Sequence, residues 1–209
     1  MPRTRSAGLK NHLVEAADEL LDHATPGSLT TRQIARHAAV SDGVLYNHFG
    51  DKDELLVAAL VRRYGRLVET FEAALADANE AGQGSDAPLD GWLGAYARAL
   101  RDLDAAALHL GAGLLAEPKL LEAFWIEIHR APLGLDRLRN PLVERLRAER
   151  EAARLASNVD IDAAATLVFG ASAMSAITLR VNARVDRDGL DRDLDAAVTL
   201  VLAGLRADR

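Results

Sequence analysis

The chain has 209 residues, room for one large or two small domains, with 49% apolar residues, 4% aromatic residues and no cysteine. The cysteine count excludes a disulfide framework and thiolate metal sites, and a net charge of −6 argues against nucleic-acid binding by the chain as a whole. No uninterrupted apolar run approaches the roughly 18 residues of a membrane helix. The start, MPRTRSAGLK, has charge but no apolar signal-peptide core, so a soluble, cytoplasmic protein with no membrane partner is expected.

Runs of Ala, Leu, Glu and Arg favour helix, no alternating strand pattern is present, and the expected fold class is all-α. A first helix is predicted from about Ala7 to His23, with Leu13, Ala16, Ala17, Leu20 and Leu21 in one apolar stripe, and Thr25-Pro26-Gly27 ends it. Thr30-Thr31-Arg32-Gln33 opens a second helix with a capping-box pattern and carries it to about His37. Ala38-Ala39-Val40 makes a turn. Ser41 then caps a third helix that reaches about Phe49. Gly50-Asp51 breaks the chain, and Asp51 with Glu54 caps a long fourth helix from Lys52 to about Asn79. Residues 81–86 read as a linker. Helices are expected next at 88–103, 105–116 and 118–130. Pro132 and Pro141 mark breaks, and an Arg/Glu-rich helix runs from Pro141 to Leu155. After a turn at Ser157-Asn158, a helix capped by Asp160 or Asp162 reaches about Ala183, and the last covers about Leu190 to Leu205.

The chemistry concentrates in residues 30–55, TTRQIARHAAVSDGVLYNHFGDKDEL, which read as a helix-turn-helix and the start of another helix. Ile34, Ala35, Val40 and Leu45 face inward and lock two short helices together. Residues 42–44 and 46–48 then point outward. The start of the third helix has free N–H groups suited to a phosphate. Tyr46 and His48 offer donors to backbone phosphates, and Asn47 can pair with a base edge. Lys52 in a first helical turn opposes the helix dipole by about 0.3–1 kcal/mol, a penalty that a bound phosphate reverses. The alternative is a pair with Asp51 or Asp53. Residues 1–66 hold nine Lys/Arg against eight Asp/Glu, a balance of +1 that leaves −7 for the remainder, so only the first part is expected to meet nucleic acid.

This segment resembles the DNA-binding head of the TetR family of bacterial transcription regulators. The resemblance rests on Thr30, Ile34-Ala35, Ala38, Val40-Ser41, Gly43, Leu45-Tyr46, His48-Phe49, Lys52 and Leu55-Leu56, in ungapped spacing, and covers about residues 7–60. It implies a three-helix head at residues 1–50, DNA-binding, and a helical effector-binding and dimerisation body at 51–209. The implied DNA-binding set is Thr30, Thr31, Arg32, Ser41, Asp42, Gly43, Val44, Tyr46, Asn47, His48 and Lys52. Two positions depart from the pattern. Ala39 stands where the family has Gly, at a turn that needs a left-handed backbone, and Asp42 puts an acid at the head of the recognition helix. Asp42 either repels phosphate or accepts from a cytosine amino group.

By the same resemblance the protein is a homodimer that binds double-stranded operator DNA, represses, and is released by a small-molecule effector of unknown identity. The last two helices fit the dimer bundle, with Ala164, Ala165, Val168, Ala171, Ser172, Ser175, Ile177 and Leu179 on one and Leu194, Ala197, Val198, Val201 and Leu205 on the other. The alternative is that both are ordinary core helices. Tyr64, Phe71, Trp92, Tyr96, His109, Phe124, Trp125, His129, Phe169 and Met174 are candidate pocket residues, with core packing as the alternative for each. The Arg-rich run 137–154 reads as a solvated helix with i,i+4 pairs. No nucleophile elbow, phosphate loop or metal spacing is present, so no enzymatic activity, cofactor or metal is expected. A second reading keeps the TetR-like body as a ligand-binding or adaptor protein that has lost specific DNA binding.

Overall fold

The computed structural model describes residues 3–81, 88–182 and 184–206, so part of the expected linker, residues 82–86, lies outside the described residues. Among the described residues there are nine α-helices and no strand. They are α1 (Arg3–Leu20), α2 (Thr31–His37), α3 (Asp42–Tyr46), α4 (Lys52–Ala81), α5 (Leu89–Leu114), α6 (Pro118–Arg130), α7 (Leu135–Glu151), α8 (Ile161–Val181) and α9 (Arg187–Leu205).

Local signals set several ends as expected. Gln33 N donates to Thr30 Oγ1 at 3.3 Å and Thr30 N to Gln33 Oε1 at 2.8 Å, the reciprocal capping box of α2. Glu54 N donates to Asp51 Oδ1 at 2.8 Å, and Gly50 N to Glu54 Oε2 at 2.7 Å, at the start of α4. The Asp160 side chain caps α8. Other expectations are corrected. α1 begins earlier and ends at Leu20, with Leu21 to His23 continuing as a turn. α3 stops at Tyr46 rather than Phe49, and Ser41 makes no side-chain cap. The two helices expected at 88–103 and 105–116 are one, α5. Leu103-Asp104-Ala105 contains no helix breaker, and both Leu103 and Ala105 are buried. Pro141 lies inside α7, six residues past its start. The roughly 3 kcal/mol cost of an interior proline is offset by burial of Leu138, Leu142 and Leu146, worth about 1.5–3 kcal/mol each.

The chain forms two compact units, Met1–Arg66 with His109–Pro132, and Leu67–Leu108 with Leu133–Arg209. In the first, Leu13, Ile34, Leu45, Phe49, Leu55 and Leu60 are buried. Asp18 of α1, itself buried, meets Arg63 at 2.6 Å and Arg66 at 2.5 Å on α4. Burial raises its carboxyl pKa, but the hydrogen bonds and charges of the two guanidiniums prevail and hold it below the usual value.

In the second unit, Tyr96 is fully buried and its hydroxyl donates to the Leu138 carbonyl at 2.8 Å. Ser172 Oγ donates to the Ala97 carbonyl at 3.1 Å. Four Arg–Asp pairs join α5 to α9: Arg206–Asp90 at 2.6 Å, Arg187–Asp102 at 2.8 Å, Arg98–Asp195 and Arg101–Asp191. Arg101 is fully buried and also meets Asp102 at 3.0 Å. The Arg-rich α7 is less solvated than expected. Besides the Arg145–Glu149 pair one turn apart, Glu149 is buried and Arg137 reaches Glu72 of α4 at 2.6 Å.

α8 is long and apolar enough by length and composition to cross a membrane, contrary to the expectation that no segment approached that limit. Here it packs on α7 and α9, and its apolarity divides between two faces. Ala164, Ala165, Val168, Ser172 and Ser175 are buried within the chain, as is most of the apolar stripe of α9. The exposed face of α8 instead carries Leu167, Met174, Ile177 and Val181, and Leu200 is exposed on α9.

Candidate nucleic-acid interface

α2 and α3 are held by three devices. Ile34, Ala35 and Leu45 are buried, while Val40 is half-buried. The turn between the helices has Val40 N donating to the Ala35 carbonyl at 2.9 Å and Ala39 N to the Arg36 carbonyl at 3.2 Å. That pair of bonds is a Schellman motif with Ala39 at the left-handed position, φ 53°, so the alanine adopts the backbone that glycine would favour. His12 of α1 adds a support that the sequence did not signal: its Nε2 donates to the Ala38 carbonyl at 2.9 Å.

These constraints leave one polar face outward. Thr30, Arg32, Ser41, Asp42, Gly43, Tyr46 and Asn47 are exposed, and Thr31, Val44, His48 and Lys52 are half-buried. Tyr46 is 55% exposed, and its hydroxyl lies 3.4 Å from the Thr31 hydroxyl, which links α3 to the first turn of α2. α3 is only five residues long, so its outward side chains follow one another within little more than a turn.

The charges sort themselves by position. Arg62, Arg63, Arg66 and Lys10 pair with Glu15, Asp18, Asp22 and Glu54, and His37 lies 2.7 Å from Glu19. Among the described residues Arg32, Arg36 and Lys52 make no ion pair, so the expected alternative for Lys52, a pair with Asp51 or Asp53, is not formed. Half of the eight acids of residues 1–66 are therefore paired with Arg or Lys away from α3, and Arg32, Arg36 and Lys52 are left for a polyanion. Asp42, exposed in the first turn of α3, stands against that trend.

The ten candidate pocket residues fall into separate groups. In the first unit the buried Tyr64 and Phe124 meet edge to face at 6.1 Å. Trp125, 43% exposed, lies 6.4 Å from His129, whose Nδ1 donates to the Trp125 carbonyl. His109 is exposed and lines a cavity of 420 Å³ with His23, Pro26, Arg63 and Gly113. In the second unit Phe71, Trp92 and Phe169 surround Tyr96 at 5.5, 5.4 and 6.4 Å. Arg145 lies over the Trp92 ring, and among the described residues the buried Trp92 Nε1 has no hydrogen-bond partner. Met174 is on the exposed face of α8. A further groove of 840 Å³ in the first unit, lined by Val14, Phe49, Val61, Ala123, Ile126, Lys10 and Arg130 among others, contains none of the ten.

Residues 13–59 match the sequence model of the bacterial regulatory proteins of the tetR family. The chain is 39% identical over 63 residues to the HTH-type transcriptional regulator HbdR of Aromatoleum sp. (strain CIB), a match that spans 30% of this chain and only 26% of that relative. A protein of Mesorhizobium loti assigned as a TetR-family transcriptional regulator shares the fold over 97% of this chain and 99% of its own, with a TM-score of 0.73 and 21% identity. The regulator FadR of Bacillus subtilis, solved with stearoyl-CoA, does so over 93% and 98%, with a TM-score of 0.58 and 18% identity. The match to the tetR family thus covers the head, residues 13–59, and the all-helical fold over nearly the whole chain is similar to that of solved TetR-family regulators.

Proposed function

We propose that the protein is a transcription regulator that binds double-stranded operator DNA and is released from it by a small molecule, so that it represses. The observation that carries this reading is the outward face of α3. Among the described residues Tyr46, Asn47 and His48 have no intramolecular ion pair, Tyr46 meets Thr31 across the face, and Lys52 makes no ion pair beside it. In this reading Asn47 reads a base edge and Tyr46, His48, Thr31, Arg32 and Lys52 position the backbone. Residues 1–50 are the DNA-binding domain and residues 51–209 the effector-binding and dimerisation domain.

The exposed stripe of Leu167, Met174, Ile177 and Val181, with Leu200 of α9, supports a homodimer, because soluble chains rarely leave such a row facing water. The unpartnered Trp92 Nε1 supports an effector contact in the second unit, where a ligand acceptor would complete its hydrogen bond. The stearoyl-CoA bound by the Bacillus subtilis FadR makes acyl-CoA thioesters the first class to screen.

The test is a fluorescence-anisotropy titration of the wild-type protein against duplexes from the promoters of its own and neighbouring genes, across a salt series. Tight, salt-dependent binding to a subset of duplexes supports the reading. Equal, weak binding to all duplexes overturns it and leaves the adaptor reading.

A further inference from the structure

The link that precedes α2 is fitted against the end of α5 with no room to spare, entirely within the first unit. Pro26 is buried at the start of a one-turn 3-10 helix, Pro26–Ser28, and Leu29, which follows it, is buried too. A Cβ on Gly113 of α5 would lie 2.8 Å from Pro26 Cδ and 3.6 Å from its Cγ. The proline ring cannot swing away, because it is closed onto its own backbone. Two neighbours behave differently. A Cβ on Gly111, in the same helix, meets nothing within 4 Å, and one on Gly27 meets only the flexible end of Glu117.

The rest of the link is stiff. Ser28 N and Oγ both donate to the Thr25 carbonyl, at 3.0 and 2.8 Å, and Leu29 N donates to the Pro26 carbonyl at 3.3 Å. Thr30 then caps α2, and Thr31 touches Tyr46. A displacement of Pro26 has few soft torsions in which to dissipate before it reaches the outward face of α3.

We infer that Gly113 is a positioning residue for the helix-turn-helix: its missing side chain lets α5 seat Pro26, and that contact fixes where α2 begins and so where Tyr46 and Asn47 stand. The inference rests on the DNA-binding reading for its functional consequence, but the contact can be tested without it. α5 is continuous from Leu89 to Leu114, so the same helix that carries Trp92 and Tyr96 ends on the support of the recognition motif.

The experiment compares Gly113→Ala, Gly111→Ala, Gly27→Ala and the double variant Gly113→Ala/Pro26→Ala in the full-length protein. The probe is a duplex that the wild-type protein selects from a random-sequence pool. Gly113→Ala is expected to weaken binding about tenfold or more, the scale of one overpacked contact, and the double variant to recover to within about threefold. Gly111→Ala and Gly27→Ala are expected to bind as wild type. In the free protein, amide exchange over residues 25–40 should rise in Gly113→Ala and return in the double variant. A Gly113→Ala protein that folds only in the presence of Pro26→Ala supports the same conclusion. Equal behaviour of Gly111→Ala and Gly113→Ala, or no recovery on adding Pro26→Ala, overturns it. If the wild-type protein selects no duplex, the DNA reading fails while the exchange comparison still decides the role of Gly113.

Discussion

Asp104→Asn should stabilise the protein at neutral pH and leave it nearly unchanged at pH 4. Asp104 lies in the middle of α5, half-buried, and among the described residues it makes no ion pair or hydrogen bond. Burial pushes its carboxyl up from 3.8 to about 6. In the unfolded chain the group loses its proton near the ordinary value. Between there and about pH 6 the folded protein holds more protons than the unfolded one, so stability falls as pH rises through that window. Above it both states are ionised and the penalty is constant. A rise of about 2 pKa units at 1.36 kcal/mol each gives a penalty of about 3 kcal/mol at pH 8, an order-of-magnitude figure. Asparagine removes the charge and keeps the shape. Urea unfolding of wild type and variant at pH 4 and pH 8 measures the difference, which should approach that figure at pH 8 and vanish at pH 4. Equal stabilisation at both pH values, or none at pH 8, would refute the account of an unpaired buried charge.

Lys52→Ala should flatten the slope of log affinity against log salt by about 0.9 per head. Loss of affinity at unchanged slope would remove Lys52 from the phosphate contacts, and Tyr46→Phe should weaken binding to all duplexes alike. Asn47→Ala should cost about 1–3 kcal/mol of discrimination at one position in each half-site, read by binding to singly substituted duplexes, while non-specific affinity stays nearly intact. Ala39→Gly should raise stability by about 0.5–1 kcal/mol, net of the entropy glycine adds to the unfolded chain, and thermal denaturation reports it as a gain of about 1–4 °C. Leu200→Glu, at a site 75% exposed, should leave the helical content intact and yield a monomer by sedimentation; an unchanged dimer would move the interface elsewhere.

What the sequence made legible was mostly local. Thr30 with Gln33, and Asp51 with Glu54, announce helix starts because the partners lie three residues apart. The left-handed backbone at Ala39 followed from the resemblance, which puts a Gly at that turn. The errors arose where distant contacts overrule local signals. Asp104 looked like a helix boundary and is carried through by the burial of its neighbours. Pro141 looked like a helix start and sits within a helix whose leucines fill a core. The aromatic residues were candidates for a pocket or for core packing, and their spacing says nothing about which unit each joins. His12 and Gly113 gave no signal at all, since each acts on a residue far along the chain. Of the faces of α8 and α9 read as fitting either a partner or the core, Ala164, Ala165, Val168, Ser172 and Ser175 lie in the interior, whereas Ile177 faces water. The residues facing water are the larger ones between them.

The Arg–Asp pairs that join α5 to α9 also act as a ruler. Read along α5 the signs run negative at Asp90, positive at Arg98 and Arg101, and negative at Asp102. Along α9 in the opposite direction they run positive at Arg206, negative at Asp195 and Asp191, and positive at Arg187. Sliding α9 by one turn, about 5.4 Å, would bring Arg101 to Arg187 one way, or Asp102 to Asp191 the other. Either slip sets like charges together beside the buried guanidinium of Arg101, where repulsion is least screened. The leucines of α9 would accept several alignments, since one apolar side chain replaces another at modest cost. The charges accept one, and the last helix of the chain is thereby indexed against the fifth to a single residue.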